Sequence, residues 1–233
     1  MMKKTISFIV LFCLAITAKA HTVWLETNTS GKLNKQHEVK IFFGELESPT
    51  FSEKWFSDIR DIDVKVTYPS GKVESLQKTK RESHYVAFFT PTEKGTYTVS
   101  VAHLVKDVFR EMKITYQSVA FVNVNSKEKK ELQFGNLPVQ LSAENTDFKV
   151  GQKNKIKILK EGNVAEKERV NISYENGWGQ SFRSNHKGEI SFTLPWKGKY
   201  IVEYSYSKKE TGTHNGADYK SDYQTITYVI YAK

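Results

Sequence analysis

Pro91-Thr92-Glu93-Lys94-Gly95-Thr96-Tyr97-Thr98-Val99 decides the fold, because the chain carries it twice. It returns as Pro195-Trp196-Lys197-Gly198-Lys199-Tyr200-Ile201-Val202, and both copies contain Lys-Gly-x-Tyr-x-Val with a proline shortly before. In immunoglobulin-like sandwiches a turn glycine followed by a core tyrosine leads into a late strand. Two copies of that signature predict two tandem sandwiches in an all-β chain.

Outward from these copies, alternation dominates. Glu38 to Phe43, Asp63 to Tyr68 and Thr96 to Val101 put apolar residues at every second position, the period of a half-buried strand. Tyr68-Pro69-Ser70-Gly71-Lys72 is a turn, since proline presets one backbone angle and glycine tolerates the next. Val119 to Val124 closes the first set. The second set comprises Lys155 to Leu159, Val170 to Tyr174, Glu189 to Phe192, Tyr200 to Tyr204 and Thr225 to Tyr231, with turns at Gly151, Gly162, Gly188 and Gly198. The expected division is a first sandwich over 21–125, a charged linker over 126–132 and a second sandwich over 133–233. One helical piece is expected at Ser52 to Ile59.

Residues 1–20 read as an export signal: Lys3 and Lys4, an apolar run from Ile6 to Ile16, then Ala18-Lys19-Ala20 as a cleavage pattern. The run is too short to span a membrane, and no other stretch reaches that length, so no integral membrane segment is expected after processing. Cys13, the single cysteine, lies inside the run, so the processed chain has no disulfide. Cleavage removes Lys3, Lys4 and Lys19 but no acid, and the net charge of +9 falls to +6. Lysines are interspersed with acids and form no run interleaved with aromatics. That argues for a mildly basic, solvated surface and against a nucleic-acid partner.

Cleavage after Ala20 would leave His21 at the amino terminus. A free α-amine beside an imidazole offers two nitrogens that shed protons near neutrality and can chelate one metal ion. One more imidazole would complete a three-nitrogen brace suited to Cu(II) and, less strongly, Ni(II). Four of the six histidines, His21, His37, His84 and His103, share strand parity with apolar residues, which predicts an inward aspect at strand ends. His103 is the first choice for the third nitrogen and His84 the second. The competing reading makes each a half-buried histidine bonded to a backbone carbonyl. A second site of His186 and His214 is a further, lesser option.

Other constellations are sparse. The sequence has no HExxH pair, phosphate-cradling glycine loop or nucleophile elbow. Asp58, Asp61 and Asp63 lack the glycine and terminal glutamate of a calcium loop and read as a solvated acidic loop. Trp24, Trp55, Trp178 and Trp196 read as packing more than as a sugar-stacking face.

The opening His21-Thr22-Val23-Trp24-Leu25-Glu26 resembles the start of an uncharacterised family of secreted domains grouped with the NikM-type periplasmic domain of nickel transporters. Glu175-Asn176-Gly177-Trp178, Gly188 through Trp196, Lys199-Tyr200 and Gly212-Thr213-His214-Asn215-Gly216 are similar to that family's second half. The resemblance implies a β-sandwich, nickel or cobalt uptake, and His21 as a metal ligand. The chain departs from transporter members in having no multi-spanning membrane part.

Together these readings predict a periplasmic or secreted, non-enzymatic protein that captures or delivers nickel, cobalt or copper, with a membrane metal transporter as partner. The alternatives are a sandwich module that recognises a glycan or protein, and a copper enzyme that activates oxygen at a histidine brace.

Overall fold

The computed structural model describes residues 21–126, 137–143 and 146–233. The expected signal, including Cys13 and the cleavage point, lies outside the described residues, as does nearly all of the expected linker. The first half contains β1 (Thr22–Thr27), β2 (Ser30–Gly31), β3 (His37–Glu45), β4 (Ser48–Pro49) and β5 (Val64–Thr67). It continues with β6 (Val73–Leu76), β7 (Lys78–Lys80), β8 (Tyr85–Phe89), β9 (Gly95–Leu104) and β10 (Met112–Val124). The second half contains β11 (Val139–Ala143), β12 (Lys153–Lys160), β13 (Asn163–Val164) and β14 (Arg169–Tyr174). It ends with β15 (Gly179–Arg183), β16 (Glu189–Thr193), β17 (Gly198–His214) and β18 (Ala217–Ala232). Every strand expected from alternation is present. The expected helix over Ser52 to Ile59 is instead two single 3₁₀ turns, Ser52–Lys54 and Ile59–Asp61. The segment is too short for helix cooperativity to assert itself.

Both copies of the opening signature become tyrosine corners. The Tyr97 hydroxyl accepts the N–H groups of Thr92 and Glu93 at 3.0 and 2.8 Å and donates to the Glu93 carbonyl. The Tyr200 hydroxyl accepts the Trp196 N–H at 3.0 Å and donates to the Trp196 carbonyl at 2.9 Å. Each tyrosine is fully buried, so its hydroxyl must find partners, and the nearest are the backbone groups four residues upstream. Gly95 and Gly198 sit at φ +140° and +131°, where a Cβ would meet Pro69 at 2.7 Å and the Tyr174 hydroxyl at 2.8 Å.

The described residues form three sheets. A nine-stranded sheet runs β15-β14-β17-β18-β10-β9-β5-β6, with β2 beside β10. A five-stranded sheet, β1-β3-β8-β7 with β4, covers one end of it, and a four-stranded sheet of β11, β12, β13 and β16 covers the other. The junction is a parallel pairing of β10 with β18, from Met112↔Ser221 to Val119↔Tyr228. The two halves therefore share one sheet, and the finding is an all-β, sandwich-type fold in which they are continuous.

β10 shows why. Ile114, Tyr116, Ala120, Val122 and Val124 belong to the core of the first half, while Val119 and Phe121 belong to that of the second. A strand buried on both faces is what a parallel neighbour requires. A third cluster, Trp24 with Ile201 and Val229, packs β1 against β17 and β18. Lys199 reaches across to the Glu26 carboxylate at 2.9 Å, and the same oxygen accepts the Trp24 indole N–H. The tip of the β17–β18 hairpin, an Asn215-Gly216 turn with both residues at positive φ, also grips the first half. There Asn215 donates to the Lys106 carbonyl and the His214 ring bonds the Val105 carbonyl, each at 2.9 Å. No helix among the described residues is long and apolar enough to cross a membrane.

Candidate functional site

β1 begins at Thr22, paired to Gly44 of β3, and its first four residues are buried. His21 precedes it and is exposed. Alternation puts the His21 ring on the side of Val23 and Leu25, where it lies 5.5 Å from the Phe43 ring. Phe43 packs in turn on Trp55 and Tyr116, so His21 caps an aromatic wedge at one end of the first core.

His84 departs from its expected inward aspect. Its ring stacks on Phe42 at 5.0 Å, and Phe42 stacks on Trp24 at 5.2 Å. Phe42 and Phe43 are consecutive in β3 and face opposite ways, which puts His84 and His21 on opposite faces of the same sheet. The misreading has a plain cause: β8 is apolar at both parities, and its core side is Tyr85, Ala87 and Phe89 rather than Val86 and Phe88. Burial, with the nearby Lys40 charge, lowers the His84 pKa.

His103 does extend the inward row of β9, and its Nε2 lies 3.1 Å from Asp58 Oδ1. Burial alone would raise the Asp58 carboxyl. The Lys106 N–H at 2.9 Å and the His103 ring more than offset it and hold the group below the usual range. In sequence Asp58 reads with Asp61 and Asp63 as one acidic loop, and nothing in that spacing signals its pairing with His103. His37 is a buried structural histidine, with Nε2 2.8 Å from the Thr27 hydroxyl, its ring against Phe89 and its pKa lowered chiefly by burial. His214 is committed to the Val105 carbonyl, and His186 is exposed in the turn after β15.

The structure thus sets His21, His84 and His103 in three surroundings. Among the described residues, no three His, Cys, Asp or Glu side chains are grouped so as to hold a metal ion. Trp24 and Trp55 are core residues, whereas Trp178 and the exposed Trp196 meet edge to face at 5.7 Å. Glu203 of β17, an acid that no sequence motif singles out, lines a cleft together with Thr22.

A family model described as a domain of unknown function, DUF4198, matches residues 18–208. The chain belongs to that family, which is grouped with the NikM-type periplasmic nickel-transport domain. Membership supports a general periplasmic, transport-associated role. A comparison with curated proteins finds no match.

Proposed function

With that membership as premise, we propose that the protein is a periplasmic binder of nickel, cobalt or copper, acting in capture or in delivery to a membrane transporter rather than in catalysis. Removal of residues 1–20 makes His21 the terminus and its α-amine and ring a chelating pair. The observation that carries this reading is the setting of His21, exposed itself while Thr22 to Leu25 are buried and paired in β1. A terminus held by a strand has little ordering entropy left to lose when it takes up an ion.

A chelate from one residue needs no preassembled cluster, and among the described residues no three-donor group is present. His103 remains the first choice for a further nitrogen, at the cost of its contact with Asp58. His84 is the second and would have to leave Phe42 and change face. An ion with few protein ligands keeps exchangeable positions, which suits hand-over between proteins. The same reading treats 21–125 and 133–233 as two immunoglobulin-like units; the presence of two main core clusters supports it, with β10 of the first unit lending Val119 and Phe121 to the second.

The test is calorimetric titration of Ni(II) and Cu(II) into protein beginning at His21 and into protein with one glycine ahead of it. One ion per chain is expected for the first and none for the second. Equal binding by both would sink the chelate. His103→Ala and His84→Ala then identify the third nitrogen by which one weakens binding.

A further inference from the structure

Where the first half meets the second, the β3–β4 corner faces the outer side of β14 and β17 across a cleft of about 590 Å³. That volume lies in the range of small-molecule sites. Its charged lining groups are three carboxylates, Glu45, Glu47 and Glu203, with no lysine, arginine or histidine among them.

Two polar groups in the cleft lack partners. Glu203 is largely covered, and among the described residues no hydrogen bond or ion pair engages its carboxyl, which burial alone pushes up to about 7. Thr22 is 6% exposed, and its hydroxyl is buried without a partner among the described residues. Covering such groups is costly unless something satisfies them. The titratable groups around Glu203 are Tyr116 and Tyr223, both kept neutral chiefly by burial, with Glu45 and Glu47 also lining the cleft. None can neutralise a carboxylate, whereas a cation entering the cleft would.

We propose that this cleft binds a small organic cation, its ammonium group seated between the Glu203 carboxylate and the Thr22 hydroxyl. Asn171, Ser173 and Ser205 supply amide and hydroxyl partners around that seat. A metal ion fits less well, because among the described residues the acids are not grouped with further donors. At neutral pH the incoming ammonium displaces the proton that Glu203 partly retains, so binding strengthens as pH rises through neutrality.

The probe is 1,4-diaminobutane, titrated by calorimetry at pH 6 and pH 8 in the presence of a chelator, with the neutral polyol erythritol as control. The chelator removes any ion at His21, so this result and that of the metal titration are read separately. One diamine per chain is expected at pH 8, with roughly tenfold weaker binding at pH 6. Glu203→Gln should weaken it at least tenfold at pH 8, with cooperative unfolding retained. Thr22→Val should weaken it severalfold and serves if Glu203→Gln fails to fold. No binding at pH 8, equal binding of erythritol, or wild-type affinity in the folded variants would overturn the proposal.

Discussion

Ser118 and Thr227 meet across the parallel β10–β18 seam with their hydroxyl oxygens 2.8 Å apart, and both are fully buried. Together they close the free edge of β1: Thr227 donates to the Val23 carbonyl at 2.7 Å, and Ser118 accepts the Leu25 N–H at 3.0 Å. One hydroxyl hydrogen each suffices if Ser118 donates to Thr227. Two side chains thus stand in for the strand that β1 lacks on that side, and the segment carrying His21 is fixed to the seam between the halves.

Thr227→Val keeps the shape and removes this link, leaving the Val23 carbonyl buried and unpaired. The expected loss is about 1–3 kcal/mol in denaturant unfolding. Thr227→Ser should recover most of it. If valine and serine behaved alike, the hydroxyl would have no part in holding β1.

Trp24 is 0% exposed and packs between the halves on Ile201 and Val229. Trp24→Ala is expected to cost about 3–5 kcal/mol, as large-to-small changes in cores do. It should also turn one unfolding transition into two, since it loosens the contact that couples the cores. Calorimetry reads both effects, and a single transition of unchanged midpoint would refute them.

The two tyrosine corners differ in what their loss exposes. Tyr97→Phe strands two N–H groups and a carbonyl, whereas Tyr200→Phe strands one of each. Both should destabilise by about 1–3 kcal/mol, with Tyr97→Phe the more severe. The comparison is made by urea unfolding of the two variants side by side.

Glu203 predicts a specific pH dependence. Its folded carboxyl holds a proton up to about pH 7, well above the 4.5 of an exposed glutamate. The folded state therefore binds more protons between those values, and this group's contribution favours folding at low pH. That advantage is lost as pH rises through about 7, above which the burial cost is fully expressed. Glu203→Gln stays neutral throughout, so at pH 8 it should be the more stable protein by about 2–3 kcal/mol. The difference should shrink towards pH 5, and a gap that did not change with pH would contradict the assignment.

The turn glycine and the core tyrosine of each copy were legible because that signature is local to a few residues; the hydroxyl bonds back to the preceding turn emerge only in the fold. Strand positions were legible for the same local reason, since period-two alternation needs no knowledge of what pairs with what. Partner choice was not. Alternation gives the face of a strand and says nothing of its neighbour, so β18 beside β10 could not be read from either. A trace of it was present in the unbroken apolar run Val119-Ala120-Phe121-Val122, which fits a strand covered on both sides. His84 was misplaced because β8 is apolar at both parities. Glu203 was passed over because, within Ile201-Val202-Glu203-Tyr204, its position reads as solvent-facing. Across the cleft it faces β1, β3 and the corner that follows β3, brought there by the seam.

Residues joined across that seam stand 109 positions apart in the chain. During synthesis the amino-terminal portion emerges first, and the far border of β10 must wait unpaired until the last segment arrives. An unpaired border is a template for another copy of the same polypeptide. A product truncated before residue 217 would therefore keep most of its apolar sequence yet present that border permanently, and self-association rather than simple unfolding is its expected fate.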